Sequence, residues 1–448
     1  MRRWPRPWLL SHLRQSRVFQ RRCFHHDRAP DVESIDVACR SSGTITLESV
    51  SFYPSDYGVI SNATHSLHNF NRHPVTTPLV LYIPPFSPTP GYLAAVPGFL
   101  TPYPTAVINY RWSPSPVSTS PESDHGPDFN FTTPLTWPTP LHDVLTGYNW
   151  ITDNLLPLGT TSRRDIYVYS SHAGASIAAS LALTESHHHE RMAVRGLVAW
   201  NGIYNWSMFL PDHKVNKPST PRSKKLPPRP EDGSALHALQ MRMPDLFRAP
   251  VDLLDPFASP SFFFQTAGMN APSSFVQAAA VSSLLERLSS VTSDVKPADI
   301  LGVAEGLFPA PRRSALVFPP RKSTLKLPSV LLLHDTPTEP VAKRKTTTRK
   351  RSMASSMASE LASRTAARKR KVAGHTFEAQ ATELAGLMRR SLEKLEFKSR
   401  MEWDEEFDEV AEAERRVAVV EVGENEGLEL GERGQDAIAE WLEDRIRL

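Results

Sequence analysis

The chain has 448 residues, of which 40% are hydrophobic, so it is long enough to bury at least one large core. Its net charge is only +3, but the basic and acidic side chains are segregated into blocks along the sequence. Two cysteines, Cys23 and Cys39, both near the N-terminus, exclude a disulfide-stapled scaffold and a Cys–His metal site. No apolar run is long enough to cross a bilayer, so the sequence predicts no transmembrane segment.

The N-terminal segment is rich in arginine and has no acidic residue before Asp27. Apolar residues such as Leu9 and Leu13 can share one face of a helix in this segment. Arginine-rich, acid-free and amphipathic sequence is typical of a mitochondrial presequence. We therefore predict a presequence or unstructured segment over residues 1–40 and a mitochondrial location. The alternative is an unstructured basic tail on a cytoplasmic or nuclear protein.

From residue 43 to residue 206, apolar strand patterns alternate with helical patterns. The predicted strands cover residues 43–52, 79–83, 105–112, 166–169 and 196–200. Helices are predicted over residues 141–156 and from residue 173 onward, and Asp143 is interpreted as an anchor between its helix and a loop. Strands separated by helices at these distances indicate βαβ units. The predicted fold class is therefore α/β, with a mostly parallel central sheet and helices on both faces. The strand at 166–169 is predicted to be central, between the strands at 105 and 197.

The second half of the chain changes in character several times. A Pro- and Lys-rich run opens at residue 213, and a helical pattern follows at 273–288. The sheet is predicted to resume at 327–334, before a basic segment at 343–371 that is too poor in apolar residues to pack. The remaining predicted elements are a helix through Phe377 and Leu395, an acidic linker at 402–414, a last strand at 416–422 and a closing helix through Ile438 and Ile446.

The segment from 164 to 185 contains a sharp turn between a strand and a helix rich in small residues. Ser170, His172 and Gly174 stand at the three fixed positions of the Gly-x-Ser-x-Gly nucleophile elbow, with His172 in the place of the nucleophile. This turn, the Val-Ile-Asn-Tyr-Arg strand at 107–111 and the Pro-Leu-His-Asp-Val helix at 140–144 resemble the hormone-sensitive-lipase-like branch of the α/β-hydrolase superfamily, in the same order. The resemblance covers about residues 43–206.

The resemblance implies a domain organisation and an activity. The core would consist of residues 41–206 and 327–448, with a cap inserted at 207–326. The activity would be that of a carboxylesterase or lipase. A small apolar or ester ligand would lie in a pocket under the cap, and no cofactor or metal is implied.

A working serine hydrolase needs a nucleophile, an acid, a histidine base and N–H donors for the oxyanion. Ser170 and Ser171 are candidates for a displaced nucleophile, whereas His172 is interpreted as a structural residue that caps the following helix. For the acid, the resemblance implies Asp335 or Glu339.

The base and the oxyanion loop depart from the family pattern. The loop at 423–432, which follows the last predicted strand, contains no histidine. The oxyanion loop begins with Pro84 and Pro85, which carry no N–H, although Phe86 and Ser87 still do.

Three functional hypotheses follow from these residues. The first is a catalytically degenerate hydrolase-fold protein that acts in binding or as a scaffold. The second is an active ester hydrolase that uses Ser170 or Ser171. The third is binding of nucleic acid or an anionic membrane through the basic segment at 343–371. The sequence leaves any protein partner open, and the triplet at 187–189 is interpreted as a solvated helix end.

Overall fold

The computed structural model describes most of the segments that the sequence predicts to be ordered. The described residues are 32–39, 43–49, 61–70, 73–87, 94–113, 135–157, 159, 161–211, 213, 215–216, 230, 232–265, 318–320, 322–336, 375–404, 406–425 and 429–446. Residues 1–31, the helical pattern at 273–288, Glu339 and the basic segment at 343–371 lie outside them. Within the described residues, no helix is long and apolar enough to cross a membrane.

A nine-stranded sheet forms the centre of the described part of the chain. Its strands are β1 (Val32–Cys39), β2 (Gly43–Ser49), β3 (Ser61–His68), β4 (Leu79–Ile83), β5 (Thr105–Asn109), β6 (Arg164–Ser171), β7 (Met192–Trp200), β8 (Ser329–His334) and β9 (Val417–Glu421). They are ordered β1-β2-β3-β5-β4-β6-β7-β8-β9. The run from β5 to β9 in this order is parallel throughout. Near the other edge, β3 pairs antiparallel with β5, and β1 pairs antiparallel with β2.

Strand β6 is central and parallel, as predicted, and β7 is one of its neighbours. The predicted second neighbour, the strand at residue 105, is wrong: β6 pairs with β4 instead. The chain leaves β5, crosses one face of the sheet and returns beyond β4, so strands that follow each other in sequence are not adjacent in space.

Helices cover both faces of the sheet. They are α1 (Thr139–Asn154), α2 (Gly174–Thr184), α3 (Ala235–Leu246), α4 (Phe377–Ser391), α5 (Lys398–Met401), α6 (Glu409–Arg416) and α7 (Glu432–Ile446). Short 3₁₀ segments lie at Gly98–Leu100, Trp206–Phe209, Pro250–Leu254 and Pro260–Phe264, and a π-helical turn at Leu392–Glu396. Side chains of α1, α2 and α4 pack on one face, whereas side chains of α7 pack on the other.

Successive strand residues alternate between the two faces. In β4, Leu79 and Leu81 contribute to the core under α1 and α2, while Val80 contributes to the core under α7. Both faces are therefore buried, which explains why the strand reads as a continuous apolar run. The parallel sheet, the helices on both faces and the insertion between neighbouring strands β7 and β8 make this the α/β-hydrolase fold.

Two predicted segments contain regular structure that the sequence analysis did not expect. Val32–Cys39, inside the predicted presequence or unstructured segment 1–40, forms β1, because its apolar residues alternate and it can pair with β2. Residues 409–414 of the predicted acidic linker 402–414 form most of α6, which continues to Arg416. The Asp408 carboxylate caps this helix by accepting hydrogen bonds from the N–H groups of Val410 and Ala411.

The inserted region packs onto the main core in its described part. Leu246 and Phe247 at the end of α3 are buried in the core that α1 and α2 share. The Nε1 atoms of Trp112 and Trp137 donate hydrogen bonds across this contact, to the carbonyl of Leu246 and to Asp255. The domain limits at 206, 207, 326 and 327 stay predictions.

The anchoring role expected of Asp143 is confirmed. Its carboxylate is fully buried in α1 and accepts hydrogen bonds from the backbone N–H of Arg111 at 2.9 Å and from Nε at 2.9 Å and Nη2 at 2.6 Å of the same residue. The pair ties the segment after β5 to α1. Its three hydrogen bonds satisfy a carboxylate that would be costly to bury alone.

The Thr376→Ala variant is expected to be less stable to urea by about 1 kcal/mol. The Thr376 hydroxyl accepts a hydrogen bond from the N–H of Ala379 at 3.1 Å and is the N-cap of α4. Thr146→Ala is the matched control, because Thr146 lies inside α1 and only donates to the carbonyl of His142. Equal losses in the two variants would contradict a capping role.

Candidate functional site

The predicted elbow is a sharp turn between β6 and α2. His172 has φ = 51°, in the left-handed region that only a few per cent of residues other than glycine adopt, although asparagine, aspartate and histidine do so more often than the rest. Its N–H donates to the carbonyl of Trp200 at 3.0 Å, and its carbonyl accepts from the N–H of Ala175 at 3.3 Å. The turn is thus fixed by hydrogen bonds on both sides, and its backbone is strained at the nucleophile position.

Gly174 permits a close approach between the elbow and the loop after β4. A Cβ atom at this position would collide with the carbonyl oxygen of Pro84 and the Oγ atom of Ser170. The Pro84 carbonyl also accepts a hydrogen bond from the Tyr110 hydroxyl at 3.0 Å. The loop at the expected oxyanion site therefore presents an acceptor to the elbow, where a hydrolase needs donors.

The His172 side chain is buried between two aromatic side chains. Its ring lies edge-on to Trp200 with centroids 4.9 Å apart, and edge-on to Phe377 with centroids 5.8 Å apart. The residue is 2% exposed, and neither ring nitrogen has a hydrogen-bond partner among the described residues. Burial lowers the pKa of His172 to about 4, although the nearby Asp335 carboxylate acts in the opposite direction. The imidazole is therefore neutral at pH 7.

The predicted capping role of His172 is wrong. Helix α2 begins at Gly174 with Ala173 as its N-cap, and no side chain caps it. A cap would have to turn a ring nitrogen toward the first turn of the helix, whereas the ring is held between Trp200 and Phe377. The His172 ring is buried and packs between Trp200, at the end of β7, and Phe377, at the start of α4.

Ser170 is held by the neighbouring strand. Its hydroxyl is fully buried and donates a hydrogen bond to the carbonyl of Ile83 at 2.6 Å. Ser171 is the last residue of β6 and is 3% exposed. Among the described residues, neither hydroxyl is hydrogen-bonded to a histidine or a carboxylate. The structure thus places both serines beside the elbow without the base that a nucleophilic serine requires.

Asp335 lies where the resemblance places the acid, directly after β8. Its Oδ1 accepts hydrogen bonds from Nε1 of Trp200 at 2.9 Å and from Nδ2 of Asn425 at 2.5 Å. Its Oδ2 accepts one from Nδ2 of Asn201 at 2.6 Å. The carboxylate thus has three donors, one of them on the same Trp200 that contacts His172. The other predicted acid, Glu339, lies outside the described residues.

Asn425 lies in the loop after β9, the loop in which the resemblance implies a histidine base. It follows β9, its Nδ2 reaches Asp335, and its Oδ1 accepts a hydrogen bond from the N–H of Gly431 at 2.9 Å. An amide can donate to the acid as an imidazole does, but it cannot take up a proton at neutral pH. Sequence reasoning missed Asn425 because the search of this loop was for histidine. The only signal is a lone amide side chain among acidic residues and glycines, and it is weak because asparagine is common in turns.

Two other histidines of the described residues contact groups outside the elbow. His375 has its Nε2 atom 2.6 Å from Oδ1 of Asn216, and its ring stacks on Phe209. In the triplet at 187–189, the Nδ1 atom of His187 contacts the Thr324 hydroxyl at 2.9 Å. No cluster of His, Cys, Asp and Glu that could hold a metal ion is found in the part of the chain that the structure describes.

No protein-family model matches this sequence, and no curated protein is detectably similar to it. Similar solved structures include esterase LipW from Mycobacterium marinum, at 18% identity over 52% of this chain, with a TM-score of 0.28. This chain spans 58% of LipW, less than two thirds of its length. One of two fungal esterases from Rhizomucor miehei is 12% identical, with 94% of this chain and 86% of that one covered and a TM-score of 0.38. A truncated carbohydrate esterase from gut microbiota is 11% identical, with 86% and 91% covered and a TM-score of 0.36. The sheet topology, and not these slight likenesses, establishes the fold.

Proposed function

We propose that this chain is an α/β-hydrolase-fold protein of esterase-like ancestry that has lost ester hydrolysis and acts by binding or as a scaffold. One observation carries the proposal. The nucleophile position holds the neutral imidazole of His172, which is buried between Trp200 and Phe377, and the loop after β9 offers Asp335 an amide, Asn425, in place of an imidazole.

Attack and proton transfer lack their groups, and the oxyanion loop has lost two of its N–H donors. Attack would need an exposed, activated nucleophile, but His172 is 2% exposed and lacks a hydrogen-bonded base among the described residues. Proton transfer would need a base on Asp335, and Asn425 is not basic. Stabilisation of the oxyanion would need donors at the loop after β4, where Pro84 and Pro85 have none.

The side chains of the former triad are used for packing and hydrogen bonding. Asp335 joins the end of β7, through Trp200 and Asn201, to the loop after β9, through Asn425. His172 joins the elbow to α4 through Phe377. The site thus holds five elements of the core together, namely the elbow, β7, β8, the loop after β9 and α4, and this supports a structural use over a catalytic one.

The alternatives have less support. An active hydrolase using Ser170 would have to break the hydrogen bond from its hydroxyl to Ile83, and nothing in the described structure activates Ser171. Binding of nucleic acid or anionic membranes through residues 343–371 stays a prediction, because that segment lies outside the described residues. The apolar ligand pocket under the insertion and the mitochondrial location also stay predictions.

The purified protein is expected to hydrolyse p-nitrophenyl butyrate no faster than a carrier protein, and a fluorophosphonate probe is expected to label nothing. The reason is the missing base, without which a serine hydroxyl stays protonated and unreactive. Mass spectrometry of the intact protein after probe treatment measures this directly. Stoichiometric labelling that disappears in Ser170→Ala or Ser171→Ala, but persists in a Ser176→Ala control, would overturn the proposal in favour of an active esterase.

A further inference from the structure

A basic cleft lies at the end of the sheet opposite the elbow. Its volume is about 290 Å³, and it is lined by residues at the amino ends of parallel strands, including Val194 of β7 and Ser329 of β8. The elbow, in contrast, lies at the carboxyl ends. Arg195 and Trp200 are five positions apart along β7, so the two sites are about 17 Å apart at 3.3 Å per residue.

Five cationic side chains line this cleft, and Glu412 is the only acidic residue among those that line it. The cations are Arg195, Lys326, Arg415, Arg416 and Arg445. They come from β7, the segment before β8, the end of α6 and the end of α7. The fold thus gathers cations from four elements that are distant in sequence.

Four of these cations are held in place by ion pairs. Arg195 pairs with Asp165 at 3.2 Å, Arg415 with Glu412 at 2.7 Å, Arg416 with Glu396 at 2.6 Å and Arg445 with Asp444 at 3.6 Å. A guanidinium has five N–H donors, and within the described residues Arg415, Arg416 and Arg445 each use at most two of them. Arg195 uses most of its donors in bonds to Asp165 and to three backbone carbonyls, so it contributes charge more than free donors. Lys326 is exposed and has no ion-pair partner in the described part of the chain. The cleft therefore combines positioned guanidinium groups with one ammonium that is not neutralised by an acid.

The lining of the cleft contains a buried hydroxyl that the protein does not satisfy. Ser186 is 3% exposed, and its Oγ has no hydrogen-bond partner among the described residues. Other buried polar atoms of the described residues also lack a partner, but Ser186 is the one such residue in the lining of the cleft, where a ligand would supply the acceptor. At the rim, the pKa of His188 is lowered, first by the charge of Lys326 and then by desolvation and the charges of Arg195 and Arg163, while Glu396 acts in the opposite direction. The positive potential thus extends to the mouth of the cleft.

We propose that this cleft binds a small phosphorylated molecule, with Lys326 and the arginines facing the phosphate oxygens and Ser186 donating a hydrogen bond. Guanidinium and ammonium groups are the side chains that recognise phosphate, by forked and point-charge contacts respectively. The recessed volume suits a small free molecule better than a flat membrane surface. The site is independent of the elbow and does not depend on the loss of hydrolysis.

Isothermal titration calorimetry of the full-length protein with pyrophosphate tests the proposal. Saturable binding is expected, and it should weaken as sodium chloride is raised because the contacts are ionic. The Lys326→Glu variant should bind about tenfold or more weakly. Arg433→Glu is the matched control, because Arg433 is an exposed cation at the opposite end of α7 and its reversal changes the net charge equally. Its affinity should stay that of the parent protein.

Two further measurements distinguish binding in this cleft from non-specific attraction of anions to the protein. Ser186→Ala removes a buried hydroxyl without changing the charge, and about a tenfold loss of affinity is expected. Equal losses in Lys326→Glu and Arg433→Glu would overturn the proposal, as would the absence of any heat with millimolar pyrophosphate. Binding to phosphatidic acid vesicles without binding to pyrophosphate would also overturn it and assign the cleft to a lipid headgroup.

Discussion

The His172→Ser/Asn425→His double variant is expected to react with a fluorophosphonate probe about a hundredfold faster than His172→Ser alone. His172→Ser by itself should stay at the background of the parent protein, because Asn425 cannot accept the serine proton. In the double variant, an imidazole at position 425 would take over the contact that the Asn425 amide now makes to Asp335 at 2.5 Å. The acid is already held in place by Trp200 and Asn201, so the base and the nucleophile are the two members of the triad that are missing.

The experiment has an internal control in the acid. Adding Asp335→Asn to the double variant should return the labelling rate to background, because the imidazole would lose the group that orients it. Ester turnover should stay low even in the double variant, since Pro84 and Pro85 supply no N–H and each missing oxyanion donor costs about a hundredfold or more. Reaction of His172→Ser alone, unaffected by Asn425→His, would show that another group serves as the base and that Asn425 has been misassigned.

The positions of most core elements can be predicted from the sequence because each has a strong local signal. Strands buried on both faces, such as β4 and β8, are continuous apolar runs bounded by polar residues or prolines. The elbow was predictable from a short strand followed by small residues, and Gly174 was recognisable because a turn this tight needs a residue without a Cβ. The alternation of strand and helix patterns along the chain is what predicts a parallel sheet.

The parts that could not be predicted depend on contacts distant in sequence. The order of β5, β4 and β6 in the sheet is set by the crossover connections, and the sequences of the strands do not indicate it. Likewise, the partner of Asp335 lies 90 residues away in Asn425, and an asparagine in a glycine-rich acidic loop has an ordinary role in turns. The contact of His172 with Phe377 joins the elbow to a helix beyond the insertion.

The buried imidazole also sets an expectation for stability as a function of pH. The desolvated environment between Trp200 and Phe377 lowers the pKa of His172 from its ordinary value of 6.5 to about 4. Between these two pH values the unfolded chain binds a proton that the folded chain does not. The free energy of unfolding therefore decreases as the pH falls from 6.5 toward 4, and the contribution of a neutral His172 is fully present only above pH 6.5.

The His172→Asn variant should lose this component of the pH dependence, which amounts to about 3 kcal/mol between neutral pH and about pH 4. Asparagine tolerates the positive φ of this position and does not titrate, so the variant keeps the turn while removing the proton-binding group. Urea denaturation of both proteins across this pH range measures the difference between their free energies of unfolding. The contributions of carboxylates elsewhere cancel in this difference, because both proteins contain them. If the stabilities of the two proteins run parallel across the range, His172 is accessible to protons in the folded state, and the sealed aromatic contact at the elbow is disproved.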